Sequence, residues 1–290
     1  EVMGALAALG PRRFVGPRYG YWAWELPRAP REWLGDGILV DEIWAPSRYT
    51  AVSLHGAKAP VRVVPPPIFI EDYIGVEPAP RRAAFQAVTL FDFESSMARK
   101  NPDGAIAAFR AAFGSDPSCE LTVKTQNGDI HREALARLRG QAPENVRIID
   151  ERWPYSDVKS LIGGADVLIS LHRAEGFGLT MAEAMAMGVP VLATASSGNL
   201  DFMDDQCSVL VPCRTVPVQD PQRIYSGQSW AEPDLAVASR LLAELRSDPS
   251  LRNRLGAAGR RRVQERLSPE AWLKTLPPQV QDLVRGDVRG

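Results

Sequence analysis

From Phe85 onward, short blocks of near-continuous apolar residues alternate with longer stretches whose apolar positions recur every three or four residues. Blocks of the first kind read as strands buried on both faces, the second kind as amphipathic helices. Strands are predicted over Phe85–Phe91, Glu120–Thr125, Val146–Ile149, Val167–Leu171, Pro190–Ala193 and Val209–Val211. Helices are predicted between them, over Pro102–Phe113, Ile130–Gly140, Tyr155–Gly163 and Thr180–Met187. Crossovers in such a parallel sheet are right-handed, which gives a doubly wound α/β domain. Two more helices follow, roughly Asp234–Arg246 and Pro249–Leu267, then an amphipathic piece over 269–284 broken by Pro277 and Pro278.

Residues 1–76 follow another regime, rich in Trp, Pro and Arg, with Trp22, Trp24, Trp33 and Trp44 close together. Strand-like pieces occur at Ile38–Ile43 and Val61–Val64. Val64-Pro-Pro-Pro-Ile68 reads as a stiff connector, and a second Pro-rich stretch runs from Glu77 to Arg82. The expected division is therefore 1–76, a partial unit with its linker; 77–268, the α/β domain; and 269–290, a helical tail. The Trp cluster of the first part is expected to lack strands to pack against, leaving aromatic surface exposed. A shortened chain beginning near Glu77 is then expected to fold alone.

Composition narrows the function classes. Across 290 residues, 34 Lys and Arg face 35 Asp and Glu, a net charge of −1. No field of either sign dominates, which excludes general nucleic-acid binding, and any anion has to be held by a local constellation. Cys119, Cys207 and Cys213 are an odd set without metal-ligand spacing and read as reduced thiols. No apolar run approaches the ~18 residues of a membrane span. A cytoplasmic location is expected, with the inner face of the membrane as a peripheral site. The oligomeric state is not legible.

Ligands of open α/β sheets sit beyond the carboxyl ends of the strands. The strongest candidate there is Ser170-Leu-His-Arg-Ala-Glu-Gly-Phe-Gly-Leu-Thr-Met-Ala-Glu183, which leaves a strand, passes a Gly-rich turn and enters a helix. Gly176 and Gly178 permit close backbone approach, and the first amides of the helix, at Gly178, Leu179 and Thr180, suit a phosphate. Local physics leaves Glu183 open between pocket and cap, because Thr180-x-x-Glu183 has the form of a capping box. It leaves Glu175 equally open between the pocket and an ordinary exposed loop.

Glu175-Gly-Phe-Gly-Leu…Glu183, continued by Ala184-Met-Ala-Met-Gly-Val-Pro-Val191, resembles the Glu-x7-Glu signature of retaining GT-B glycosyltransferases of the group 1, family 4 kind. The resemblance is dense over about 25 residues and covers roughly Phe85–Leu267 as the donor-binding Rossmann-like domain. Residues 1–70 resemble the end of the acceptor domain, through Trp24-Glu-Leu-Pro27 and Val40-Asp-Glu-Ile-Trp-Ala-Pro-Ser47, so the chain reads as N-terminally truncated. The resemblance implies that Glu183 holds the ribose hydroxyls and that Glu175 contacts donor-sugar hydroxyls. Amides at Phe177 and Gly178 would orient the sugar, with Gly176 beside them, and those at Leu179 and Thr180 would hold the distal phosphate.

After the first strand of this domain, Lys100 fits the family's Lys that reaches the diphosphate, with Arg99 beside it. Many members carry a Gly-Arg pair about five residues earlier, where this chain has Glu94 and Ser95. The residues themselves also allow Arg99 and Lys100 to be a solvated pair before the helix at Pro102. His172, at the mouth of its strand, is open between a donor contact and a packed histidine. Arg173 is open between phosphate and solvent. The loop Asp150–Pro154 is a weaker candidate for the rim of the base site. Ser196, Ser197, Gly198 and Asn199 are open between a helix-entry loop near the sugar and a plain helix start, with Asn199 as the N-cap.

The implied reaction moves a sugar from a nucleoside diphosphate sugar to a sugar or glycolipid acceptor with retention, in polysaccharide or glycoconjugate synthesis. Glu175, Lys100 and Arg99 are its expected catalytic residues, without a metal or other cofactor. Two rivals are a module that binds nucleotide sugar without transferring it, and another enzyme of the same fold, an epimerase or a phosphorylase.

Overall fold

A computed structural model of the chain describes residues 16–79, 84–221 and 225–287. The start of the Trp- and Pro-rich regime, and the Pro-rich stretch beyond Ala79, lie outside the described residues. The first part of the chain forms β1 (Tyr19–Tyr21), α1 (Arg31–Asp36), β2 (Glu42–Ala45), α2 (Arg48–Ser53) and β3 (Val61–Val63). These strands make a small parallel sheet in the order β1-β2-β3. The strand expected at Ile38–Ile43 starts later, because Gly37–Leu39 turns as a 3-10 helix and leaves Ile38 77% exposed. Gly37 sits against the Lys58 and Ala59 amides, where a Cβ would come within 3.0 and 3.1 Å.

The second part runs β4 (Phe85–Leu90), α3 (Met97–Lys100), α4 (Pro102–Phe113), β5 (Cys119–Thr125), α5 (Arg132–Gln141), β6 (Val146–Asp150), α6 (Tyr155–Gly163), β7 (Val167–Ser170), α7 (Leu179–Ala186), β8 (Val191–Thr194) and β9 (Val209–Val211). A hairpin of β10 (Cys213–Pro217) and β11 (Ser229–Pro233) follows, then α8 (Leu235–Ser247), α9 (Pro249–Leu267), α10 (Pro269–Leu273) and α11 (Pro278–Asp287). The six strands β4 to β9 are all parallel, in the order β6-β5-β4-β7-β8-β9. Alternate strand residues feed two cores. Phe85, Ala87, Val167 and Ile169 pack with Phe109 of α4 and Leu242 of α8; Val88, Leu168 and Val191 pack with Met185 of α7 and Val263 of α9. Order reverses between β4 and β7, and such a switch point opens a crevice at the strands' carboxyl ends.

At the junction of the two sheets the structure adds to the sequence reading in one place and departs from it in two. The Val64–Ile68 segment is extended but anchored, with Val64 and Ile68 buried and the Ile68 amide bonded to the Leu267 carbonyl at 2.7 Å. The Trp cluster is not exposed. Trp22 and Trp24 are buried, and they share a core with Leu26, Ala174, Tyr225 and Trp230, so the second part supplies the surface that was expected to be missing. The strap that makes this possible, the β10–β11 hairpin, is the element the strand–helix pattern did not reveal. All three cysteines are free, and no helix among the described residues is long and apolar enough to cross a membrane.

Candidate active site

At the switch point lies a cleft of about 410 Å3. Phe91 and Asp92 reach it from the end of β4, Lys124 and Gln126 from the end of β5, Lys100 from α3 and Thr180 from the start of α7. The helix α4 is tied to the same spot. Asn101, in the left-handed region at φ 55°, caps α4 by accepting from the Gly104 amide, and its side-chain amide donates to the Leu171 carbonyl at 2.8 Å.

The Gly-rich turn enters α7 through Gly178, whose φ of +99° few side chains tolerate. Amides of Gly176, Phe177, Gly178, Leu179 and Thr180 have no acceptor among the described residues. A run of unsatisfied amides at a helix N-terminus is an anion-binding arrangement. The turn is held from behind. The Gly176 carbonyl accepts from Ser47 Oγ at 2.6 Å and Thr50 Oγ1 at 3.2 Å, both on or capping α2, and the Glu175 amide donates to Ser197 Oγ at 3.0 Å.

Glu183 is not a cap. Gly178 takes the N-cap position, so Leu179 is the first helical residue, Thr180 lies two places past the cap and Glu183 falls in the second turn. Glu183 Oε1 instead accepts from the hydroxyls of Tyr155 and Tyr73, whose oxygens are 3.0 Å apart. Lys159 lies over both phenol rings. Burial raises the Glu183 carboxyl above its ordinary value, only partly offset by the two phenols and Lys159.

Glu175 is not an exposed loop carboxylate: only 14% of its side chain is exposed. Its Oε2 accepts from Lys100 Nζ at 2.5 Å and lies 3.5 Å from Arg99 Nη1. Burial would raise its carboxyl, but Lys100, Arg99 and His172 outweigh it and hold the group down, from an ordinary 4.5 to about 2. A carboxyl depressed on folding stabilises the fold above its unfolded value. That contribution, about 3 kcal/mol, is lost as the pH falls from 4.5 through 2. Glu175→Gln should therefore show a flatter acid limb than the wild type in denaturant titrations between pH 7 and 3; parallel limbs would mean that Glu175 titrates normally.

The solvated-pair alternative fails for Arg99. It is 7% exposed, donates to the Ala174 carbonyl at 3.0 Å and pairs with Glu25 at 3.2 Å, which leaves Lys100 as the more open cation of the two. His172 is fully buried beneath the site. Its Nε2 lies 3.2 Å from the Ser196 carbonyl and its Nδ1 3.0 Å from Ser170 Oγ, so both ring nitrogens are engaged within the protein. Burial lowers the proton affinity of its ring, against the pull of Glu175. Arg173 takes neither of its expected places; it forks onto Glu232 of the hairpin at 2.6 and 3.0 Å and stacks on Trp230. Asn199 lies inside a 3-10 turn, Gly198–Asp201, rather than at its N-cap position, which Ser197 occupies, and its side chain bonds the Thr194 carbonyl. In the Asp150–Pro154 loop, Arg152 is drawn to Asn127 and the Trp153 ring lies 4.9 Å from Lys124 Nζ.

Sequence reasoning missed Asp92, Lys124, Glu25, Tyr225, Tyr73 and Tyr155. Asp92 follows β4 at the switch point, and that position alone could have singled it out. It accepts from Gln126, Asn127 and the Glu94 amide, which together overcome the upward push of burial and hold its carboxyl below the ordinary value. The tyrosines carry no local signal, since they reach Glu183 from elements distant in sequence.

A protein-family model described as "Family 4 Glycosyltransferase in conflict systems" matches residues 48–267. Over 179 residues the chain is 27% identical to a GDP-mannose-dependent monoacylated alpha-(1-6)-phosphatidylinositol monomannoside mannosyltransferase of Corynebacterium glutamicum, covering 59% of this chain and 41% of the relative. It is 30% identical over 117 residues to the human alpha-1,3/1,6-mannosyltransferase ALG2, covering 40% of this chain and 24% of that one. The chain thus spans less than half the length of these curated relatives. In fold it resembles the sucrose-phosphate synthase of Thermosynechococcus elongatus, with a TM-score of 0.70 at 17% identity, covering 99% of this chain and 72% of that one. The family match takes in the six-stranded sheet, the Gly-rich turn and both glutamates of the Glu-x7-Glu pair, and the chain belongs to the family 4 glycosyltransferases, with the GT-B fold.

Proposed function

We propose that the cleft takes a nucleoside diphosphate sugar and that the chain is the donor-binding part of a retaining glycosyltransferase. The observation that carries this reading is the row of five amides without acceptors at Gly176–Thr180, which ends at Thr180 in the lining of the cleft that Lys100 also lines. Leu179 and Thr180 would hold the distal phosphate and Lys100 would neutralise it. Charge that develops on the diphosphate as the glycosidic bond breaks is then met by preorganised donors. Glu183 would hold the ribose hydroxyls. Glu175, with the amides of Phe177 and Gly178, would orient the sugar. Same-face attack by an acceptor hydroxyl retains configuration when the leaving phosphate takes the proton.

Residues 1–76 are read as the closing part of an acceptor domain, 77–268 as the donor domain and 269–290 as a tail. The Corynebacterium relative is named for a phosphatidylinositol mannoside acceptor, which supports a glycolipid or sugar acceptor reached at a membrane face. Titration calorimetry with UDP, GDP and ADP tests the donor reading; no binding by any of them would end it. In the diphosphate that does bind, Glu183→Gln should raise Kd about tenfold, the worth of one hydrogen bond to a charged group. Stability should stay near wild type, because a Gln carbonyl still accepts from Tyr73 and Tyr155. Unchanged affinity would make Glu183 a purely structural partner of the phenols.

A further inference from the structure

A row of alternating charges runs from the N-terminal sheet into the candidate site. Glu25, in the loop after β1, accepts from the Tyr225 hydroxyl with the same oxygen that lies 3.2 Å from Arg99 Nε. Arg99 Nη1 continues the row, 3.0 Å from the Ala174 carbonyl and 3.5 Å from Glu175 Oε2, and that oxygen also takes Lys100. Glu25, Arg99, Glu175 and Lys100 thus form a −, +, −, + sequence drawn from three stretches of chain, with Tyr225 of the hairpin connection closing its outer end. Arg99 Nε faces Glu25 as an ion pair without a hydrogen bond, while Nη1 is hydrogen-bonded to the Ala174 carbonyl; because a guanidinium is a rigid planar fork, the two contacts together set the side from which it meets Glu175.

Stability alone does not account for the row. The Trp22, Trp24, Tyr225 and Trp230 core already staples the hairpin to the N-terminal sheet, helped by Arg28, which bonds Gln228 and the Gly227 carbonyl. Buried charges are costly to desolvate, and apolar side chains of similar volume often serve a fold as well. What such a row provides and an apolar contact does not is a fixed orientation for the last carboxylate.

We propose that Glu25 and Tyr225 are positioning residues for the donor sugar: they hold Arg99, and through it Glu175, so that recognition of the sugar depends on the hairpin and the N-terminal loop being docked together. The inference rests on the reading of Glu175 as a sugar-hydroxyl contact. Burial opposes the charge on Arg99, but Glu175 and Glu25 outweigh it and keep the guanidinium charged. Neither Glu25 nor Tyr225 is among the residues that line the cleft.

The experiment compares each nucleoside diphosphate with its sugar-bearing form, UDP with UDP-glucose and GDP with GDP-mannose, by calorimetry on the full chain. Wild type, Tyr225→Phe, Glu25→Gln and Glu175→Gln are measured, each with its melting temperature. The expected result is that Tyr225→Phe and Glu25→Gln bind the bare diphosphate within about twofold of wild type while the extra affinity due to the sugar falls on the order of tenfold, as when one hydrogen bond to a charged group is lost. Retention of that extra affinity in both variants overturns the proposal, and so does an equal loss for bare and sugar-bearing ligands. Should Glu25→Gln fail to fold, Tyr225→Phe, which removes a single oxygen, decides alone. If Glu175→Gln itself leaves the sugar increment untouched, the failure lies in the donor reading of Glu175. A wild type that gains nothing from any of these sugars overturns both.

Discussion

Lys100→Ala should weaken binding of a nucleoside diphosphate by roughly 10- to 100-fold and leave binding of the bare nucleoside nearly unchanged. The other cations near the cleft are committed. Arg99 is held by Glu25, Glu175 and Ala174, and Arg173 by Glu232. Lys124 is bonded to the carbonyls of Thr125 and Glu151, and burial lowers its affinity for a proton. Lys100 has one partner, Glu175, and retains a quarter of its side-chain exposure, so it can serve the carboxylate and a phosphate together. Removing it deletes a charge-assisted bond and also leaves the Glu175 carboxylate less compensated beside an incoming dianion, which places the loss toward the upper end of the range. Calorimetry with UDP against uridine, or GDP against guanosine, separates the cases. Equal losses for both members of a pair would assign Lys100 to the fold or the base pocket.

The second large effect is expected from shortening the chain to begin near Glu77. The sequence reading expects such a chain to fold and bind nucleotide on its own; the contacts point the other way. Truncation strips the Glu25 partner from a buried Arg99, removes the Ser47 and Thr50 hydroxyls that hold the Gly176 carbonyl, and deletes the Tyr73 hydroxyl on Glu183. It also uncovers Tyr225 and Trp230. A buried aromatic ring is worth up to ~4 kcal/mol at 25 cal/mol per Å2, and a charge left without its buried partner costs ~3 kcal/mol or more. Sums of that size compare with the whole stability of a domain. The shortened chain should therefore melt well below the full chain, or not fold, and should lose diphosphate binding. A melting temperature and Kd within error of the full chain would show that the N-terminal part is dispensable to the cleft.

The six-stranded sheet was legible because each of its strands is buried on both faces and stands out as an apolar block, with helices of clear period between. Helices Pro102–Phe113, Tyr155–Gly163 and Pro249–Leu267 begin and end where their apolar periods do. The β10–β11 hairpin was not legible, because Cys213–Pro217 is a half-exposed ribbon with no buried block to mark it. The Gly-rich turn could be located from composition alone, but its partners could not. Glu183 illustrates the limit. Its i−3 threonine fits a capping pattern, yet a single left-handed glycine moves the cap two residues earlier and leaves the carboxylate to two tyrosines 28 and 110 positions away. Arg99 and Arg173 look like free cations in sequence because their carboxylates, Glu25 and Glu232, lie in the parts of the chain with the weakest periodic signal.

Gly198 lies so close to the Gly-rich turn that a Cβ there would come within 2.1 Å of the Gly176 carbonyl oxygen, while the Gly198 amide bonds the Glu175 carbonyl at 2.9 Å. The two loops, 175–178 and 196–199, are thus a single steric object built from two distant stretches of sequence. Anyone seeking to reshape this candidate site by randomising the first loop alone would find most of the library unable to close against the second. Productive variants have to be drawn from joint changes in both loops, with glycine kept at 198.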